Sequence, residues 1–208
     1  MAFGRLDAAM FEASYVGTPP WDIGRAQPAI VSLAESGEIA GSILDVGCGT
    51  GEHALFLRAQ GLDAWGIDVS ARAIEKASAK AHARGMDGAI FRTGDALELG
   101  ALGRTFDMVI DTGVLHVFSD ADRLRYASSL AAVLEPGCVY LTLVFSDREP
   151  REWGGPRRLA ETDFARVFER GWRIVYVRPA KFETNMDMHR ARGGSEAWLA
   201  RIERIREP

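Results

Sequence analysis

The feature that most restricts how this chain can fold is the stretch Leu44-Asp45-Val46-Gly47-Cys48-Gly49-Thr50-Gly51-Glu52, where an apolar run from Ser42 ends in glycines on alternate positions. A helical pattern follows from His53, so the order reads strand, tight turn, helix. Glycines at such a turn let the backbone take positive φ and let a ligand lie against the main chain. The spacing differs from the G-x-G-x-x-G dinucleotide fingerprint, because Glu52 stands where the last glycine would fall. Asp45 sits just before the first glycine, near the strand's carboxyl end. A carboxylate there suits a cationic ligand and repels a pyrophosphate.

From Ser42 onward the chain alternates strand and helix. Strands are expected at about 42–47, 63–68, 88–93, 106–111, 138–145 and 173–178, and helices near 52–60, 71–84, 122–134 and 162–169. The strands are short and apolar on both faces, as in a parallel sheet covered by helices. Ser70 is a good N-cap for the second of these helices, and Gly85 ends it. The segment Phe3 to Ser14 has the pattern of a short amphipathic helix through Leu6, Met10 and Phe11. A loop with two prolines and two glycines, Tyr15 to Arg25, follows, and then a helix from Gln27 to Ser36 with Pro28 in its first turn. The tail from Ala197 to Ile205 fits helix or strand nearly equally. The fold class is α/β, a doubly wound, Rossmann-like sheet in one domain. A chain of 208 residues is long enough to bury about 70% of its unfolded surface in one core.

In open α/β sheets ligands sit beyond the carboxyl ends of the strands. Besides the glycine turn, three clusters end strands: Gly66-Ile67-Asp68-Val69-Ser70, Thr93-Gly94-Asp95-Ala96, and Asp111-Thr112-Gly113-Val114-Leu115-His116. Taken singly, Asp68 could be a helix cap, although Ser70 fills that role better, and Gly94-Asp95 could be only a turn. In this order, the four clusters resemble the class I S-adenosylmethionine-dependent methyltransferases, whose first motif is acid-x-Gly-x-Gly-x-Gly. The resemblance covers about residues 40–146 and reaches the tail loosely. It implies a seven-stranded, mostly parallel sheet with an antiparallel last strand, which favours a strand for the tail. It also implies S-adenosylmethionine as cofactor, with S-adenosylhomocysteine as product, and no metal. Carried onto this sequence, Asp45, Gly47, Cys48, Gly49, Thr50 and Gly51 would line the methionine part and ribose. Asp68 with Val69 would meet the ribose hydroxyls, Asp95 and Ala96 the adenine, and Asp111 the methionine end. Cys48 is given no chemistry; a buried thiol suffices.

The stretch Pro19-Pro20-Trp21-Asp22-Ile23-Gly24-Arg25 resembles the N-terminal lid of the small-molecule methyltransferases that act on thiols, halides, thiopurines and heterocyclic toxins. This divides the chain into an N-terminal lid, residues 1–40, and a cofactor-binding core, 41–208. Trp21 and Arg25 are candidate cofactor contacts; Tyr15, Trp21, His116 and Trp153 are candidate acceptor contacts. His116 is the candidate base, against the plain alternative of a hydrogen-bonded structural histidine. His189 and Met186 to Met188 are assigned to a surface loop between Lys181 and Ser195.

The expected partner is a small-molecule acceptor, an aromatic heterocycle methylated on O, N or S; thiols, halides and thiopurines are the alternative. A non-catalytic protein that binds the same cofactor would carry the same motifs. The net charge of −4 supplies no basic field for nucleic acid or an anionic membrane, and no apolar run reaches the roughly 18 residues of a span. Nothing like the Asn-Pro-Pro-Tyr signature of nucleobase amine methylation ends the fourth strand. Only Cys48 and Cys138 occur, which fits a reducing, cytoplasmic compartment. No surface feature of the sequence speaks for an oligomer.

Overall fold

The structure, a computed structural model, describes residues 8–150 and 154–206. In chain order the elements are α1 (Ala8–Ser14), α2 (Pro28–Glu35), β1 (Ser42–Val46), α3 (Glu52–Ala59), β2 (Asp63–Asp68), α4 (Ala71–Ala83), β3 (Ile90–Thr93), β4 (Phe106–Thr112), α5 (Asp120–Ala131), β5 (Leu134–Phe145), α6 (Glu161–Val167), β6 (Trp172–Phe182), α7 (Asp187–Arg190) and β7 (Ser195–Arg204). Two 3₁₀ segments, Ala96–Leu102 and Leu115–Val117, follow β3 and β4.

The strands form one sheet in the order β3-β2-β1-β4-β5-β7-β6. β1 pairs in parallel with both β2 and β4, so the strand order reverses there and opens a crevice beyond their carboxyl ends. β7 runs antiparallel between β5 and β6. Neighbouring strand residues divide between two cores, as a period of two requires. Leu44, Val109, Tyr140 and Val144 pack with Tyr126 and Leu130 of α5 on one face. Ile43, Ile110, Leu141 and Leu143 pack with Ile30 and Leu33 of α2 and Leu57 of α3 on the other.

The caps follow the sequence. The Ser70 hydroxyl accepts from the Ala73 amide at the start of α4, a bond whose loss typically costs about 1 kcal/mol. Ser119 caps α5 in the same way, which starts that helix at Asp120, two residues before the expected position. Other boundaries differ from expectation. β5 begins at Leu134, because Leu134 pairs with Phe106 and a bulge between Phe106 and Met108 takes up Glu135 to Cys138. β6 continues to Phe182, held along its length by β7. The expected surface loop from Lys181 to Ser195 is corrected most: His189 lies on α7, fully buried. Its Nδ1 sits 2.7 Å from the Thr184 hydroxyl and its Nε2 3.6 Å from the buried Glu149 carboxylate. For the first helix, Phe3 to Asp7 lie outside the described residues; Met10 is exposed and Phe11 packs against Trp21.

Candidate active site

The glycine turn closes because nothing larger fits. Gly47 and Gly49 have φ of 66° and 55°. A Cβ on Gly47 would stand 2.2 Å from Val114 Cγ2, and one on Gly49 would stand 2.8 Å from the Tyr15 hydroxyl. The Cys48 amide donates to the Ile67 carbonyl, which ties the turn to β2. Asp68 then accepts from two amides, Gly49 N–H at 2.9 Å and Ser70 N–H at 2.8 Å. One carboxylate therefore fixes both the glycine turn and the entry to α4.

Beneath the turn, Asp45 is fully buried; no donor meets its oxygens with good hydrogen-bond geometry, and only the Ala54 amide nearby favours its charge. The nearest ionisable side chain of opposite type is His53, with Nδ1 3.8 Å from Oδ2. Burial holds His53 near pKa 4, so it is neutral, and its Nε2 accepts from the Gln27 amide. Burial, followed by the charges of Asp68 and Asp111, pushes the Asp45 carboxyl well above its ordinary range. Burial likewise raises Asp68, against the amide hydrogen bonds that favour its charge. Three carboxylates thus share one low-dielectric corner, an arrangement that a cation would stabilise.

The segment after α1 lies over this corner and is tied down at many points. The Trp21 indole N–H donates to the Tyr15 hydroxyl at 3.1 Å, with the two rings edge to face. Asp22 accepts from the Thr50 hydroxyl, which in turn accepts from Lys80 on α4. The Gln27 side-chain amide forms a reciprocal pair with the main chain of Glu183, 2.9 Å in each direction. Arg25 pairs with the Glu183 carboxylate, and Asn185 donates to the carbonyls of Pro20 and Asp22. Sequence reasoning missed Asp22, Gln27, Lys80, Glu183 and Asn185, since no local pattern links the segment after α1 to residues beyond β6. The space left among Tyr15, Trp21, Gly47, Thr50, Thr112 and Phe182 is about 50 Å³. Small-molecule sites generally measure roughly 300–1,000 Å³.

On the β4 side the candidates separate. Asp111 turns into the core, where its carboxylate accepts from the Tyr140 and Tyr126 hydroxyls and from the amides of Val114 and Leu115. Burial outweighs these donors and raises it to about pKa 6. It braces the turn after β4 and does not face the cleft. His116 is buried, stacked on Phe145 at 4.8 Å, and its Nδ1 accepts from the Phe145 amide at 3.1 Å. Phe182 lies beside it, 6.2 Å between centroids, and also lines the cleft. At the far end Asp95 caps the 3₁₀ segment by accepting from the Leu97 amide; Ala96 begins that segment, and Val69 is exposed. Trp153 lies outside the described residues.

A family described as methyltransferase domain matches residues 43–137, from β1 into β5. The 2-heptyl-1-hydroxyquinolin-4(1H)-one methyltransferase of Mycobacteroides abscessus is 32% identical over 187 residues, covering 86% of this chain and 82% of that protein. The chain belongs to the class I S-adenosylmethionine-dependent methyltransferases. A probable thiol methyltransferase of Arabidopsis thaliana is 26% identical over 73% of the chain and 67% of its own length. Among solved structures, one from work on the conversion of a disulfide bond into a thioacetal group in echinomycin biosynthesis superposes with a TM-score of 0.85. It is 34% identical, and the match covers 96% of this chain and 93% of that one. The magnesium protoporphyrin IX methyltransferase of Synechocystis, with bound S-adenosylmethionine, shares the fold at 21% identity, a TM-score of 0.63 and coverage of 85% and 76%.

The methyltransferase's acidic corner fits this cofactor. S-adenosylmethionine brings an ammonium and a sulfonium and no phosphate, matching a buried Asp45 that no well-aligned donor meets, with Asp68 close by. A phosphate-bearing dinucleotide would meet repulsion at the same place.

Proposed function

We propose that the chain transfers a methyl group from S-adenosylmethionine to an O, N or S atom of a small aromatic heterocycle, within a cytoplasmic protein whose residues 1–40 form a lid over the core. The observation that carries this reading is the make-up of the cleft. The glycine turn from Gly47 to Thr50 lines one part of it, and the rings of Tyr15, Trp21 and Phe182 contribute to the rest. Flat aromatic walls favour a flat aromatic guest. In this reading Gly47 to Gly51 and Asp45 hold the methionine part, Asp68 the ribose, and Asp95 with the Ala96 amide the adenine. Trp21 and Arg25 close over them.

The bound cofactor supplies a methyl group already attached to a good leaving group. The chain's own residues then need only align the acceptor, exclude water and hold charge. The quinolone acceptor of the M. abscessus relative supports the heterocycle. The thiol methyltransferase relative supports sulfur as an alternative nucleophile in the same pocket.

The test is a transfer assay with methyl-labelled S-adenosylmethionine and a panel of hydroxyquinolones, phenols, thiopurines, simple thiols and iodide. Label in the heterocycles or phenols is the expected result. Label in aliphatic thiols or iodide alone would move the protein to the thiol and halide class. Cofactor binding with no transfer would favour a non-catalytic binding protein.

A further inference from the structure

His116 stands where a base would be sought, yet its hydrogen bonding gives it the opposite character. We propose that His116 meets the acceptor as an N–H donor, and that the acceptor enters already ionised, its charge balanced by Arg123 and Arg158 around the imidazole. This rests on the aromatic-acceptor reading of the cleft.

The tautomer follows from the Phe145 amide. That N–H points at Nδ1 from 3.1 Å, so Nδ1 must offer its lone pair. A neutral imidazole carries one proton, which leaves it on Nε2. Nε2 lies 3.4 Å from where a Gly113 Cβ would stand, and Phe182 Cζ lies 3.5 Å from the same point. The protonated Nε2 thus lies on the Gly113 side of the ring, close to Phe182, which lines the cleft.

The charges around this ring point the same way. Arg123, on α5, is 3% exposed; its Nε donates to the Leu115 carbonyl and Nη1 to Asp120, while Nη2 is buried with no partner. Asp120 on α5 and Asp163 on α6 face this guanidinium and support its charge, and Arg157 opposes it. Arg158, from the loop before α6, donates to the carbonyls of Pro150, Gly154 and Pro156. Burial and then these two guanidiniums hold His116 down to about pKa 3. A group that weakly basic is a poor proton acceptor near neutral pH. The same field stabilises an anion that accepts from Nε2–H.

The step then balances without a proton. A lone pair of the ionised O or S forms the bond to the methyl carbon, and the carbon–sulfonium bond breaks with its electron pair returning to sulfur. The acceptor loses its proton to solvent before it binds, so its own acidity sets its reactivity. The substrate class is thus acidic heteroatom nucleophiles, such as N-hydroxyheterocycles and aromatic thiols.

The test measures kcat/KM against pH at saturating cofactor for substituted 1-hydroxyquinolones and thiophenols of graded acidity, with wild type, His116→Gln and His116→Ala. The inflection should move with each acceptor's own pKa. Glutamine can donate from the place of Nε2 but takes up no proton, so it should stay within about tenfold of wild type, while alanine falls about a hundredfold. Arg123→Met, checked as folded by its melting curve, should raise KM for the ionised acceptors about tenfold and leave cofactor affinity unchanged. One fixed inflection between pH 5 and 8 for every acceptor, or glutamine as poor as alanine, would overturn the proposal alone. No turnover of any acceptor, with cofactor still binding in calorimetry, would overturn the aromatic-acceptor reading and this proposal with it.

Discussion

The two sides of the cleft are made of different material. On the β1–β2 side the polar groups are backbone amides and carboxylates from the stretch between Asp45 and Ser70, such as the Gly49 and Ser70 amides on Asp68. On the β4–β6 side Thr112 and Phe182 line the cleft, and behind Phe182 lies buried His116 with Phe145, Arg123 and Arg158 around it, brought together from β5, β6, α5 and the loop before α6. Main-chain donors stay put whatever side chains surround them. A pocket wall of side chains can be altered one residue at a time. The first side thus suits a ligand common to every reaction of the family, and the second suits a guest that differs from one member to the next.

That contrast can be broken by experiment. The largest effect is expected from Asp68→Ala, which removes the acceptor of both amides; calorimetry should show cofactor binding weaker by about a hundredfold or more, whichever acceptor is assayed. A loss confined to some acceptors would contradict the division. Phe182→Leu is the counterpart: KM for aromatic acceptors should rise about tenfold, with cofactor affinity within about twofold of wild type.

Asp111 sits between the two sides and faces neither, so its change should act first on stability. Its folded pKa of about 6 lies above the ordinary 3.8, so the folded chain binds more protons than the unfolded one across that interval. Stability contributed by this group is therefore present below about pH 4 and lost as pH rises towards 6. In melting curves Asp111→Asn should gain on wild type over that window and run parallel to it above. A constant difference at all pH values would mean that the Asp111 carboxyl titrates alike in the folded and unfolded chain. Smaller still is Thr50→Val, which unfastens Asp22 and Lys80 and should cost about fivefold in cofactor affinity. Arg25→Ala, at an exposed ion pair with Glu183, should change cofactor affinity by no more than about threefold in calorimetry.

What the sequence made legible was local. The strand, glycine turn and helix lie within about twenty residues, and Ser70 declares its cap by position alone. The orientation of Asp111 was legible in principle: it shares strand parity with Val109, which packs on the α5 face, and so points to Tyr126 and Tyr140. Asp45 shares parity with Ile43 and faces α3 instead. The anchorage of the segment after α1 was not legible, because Gln27 and Glu183 meet only once the sheet is complete. Nor was the burial of His189, whose environment is set by Thr184 and by the distant Glu149. For His116 the residue type suggested proton transfer, while one backbone amide from another strand decides which nitrogen carries the proton.

The sheet's two edges carry a consequence for the chain's behaviour at high concentration. An open strand edge is a row of unpaired donors and acceptors that another chain can zip onto. Here β3 offers only four residues. β6, at the opposite edge, is interrupted by a bulge between Ile174 and Tyr176, carries Pro179 without an N–H, and bears Arg173, Arg178 and Lys181. Neither margin is a long, flat, uncharged template. Strand-to-strand aggregation of the folded protein is disfavoured at both ends by the same residues that finish the fold.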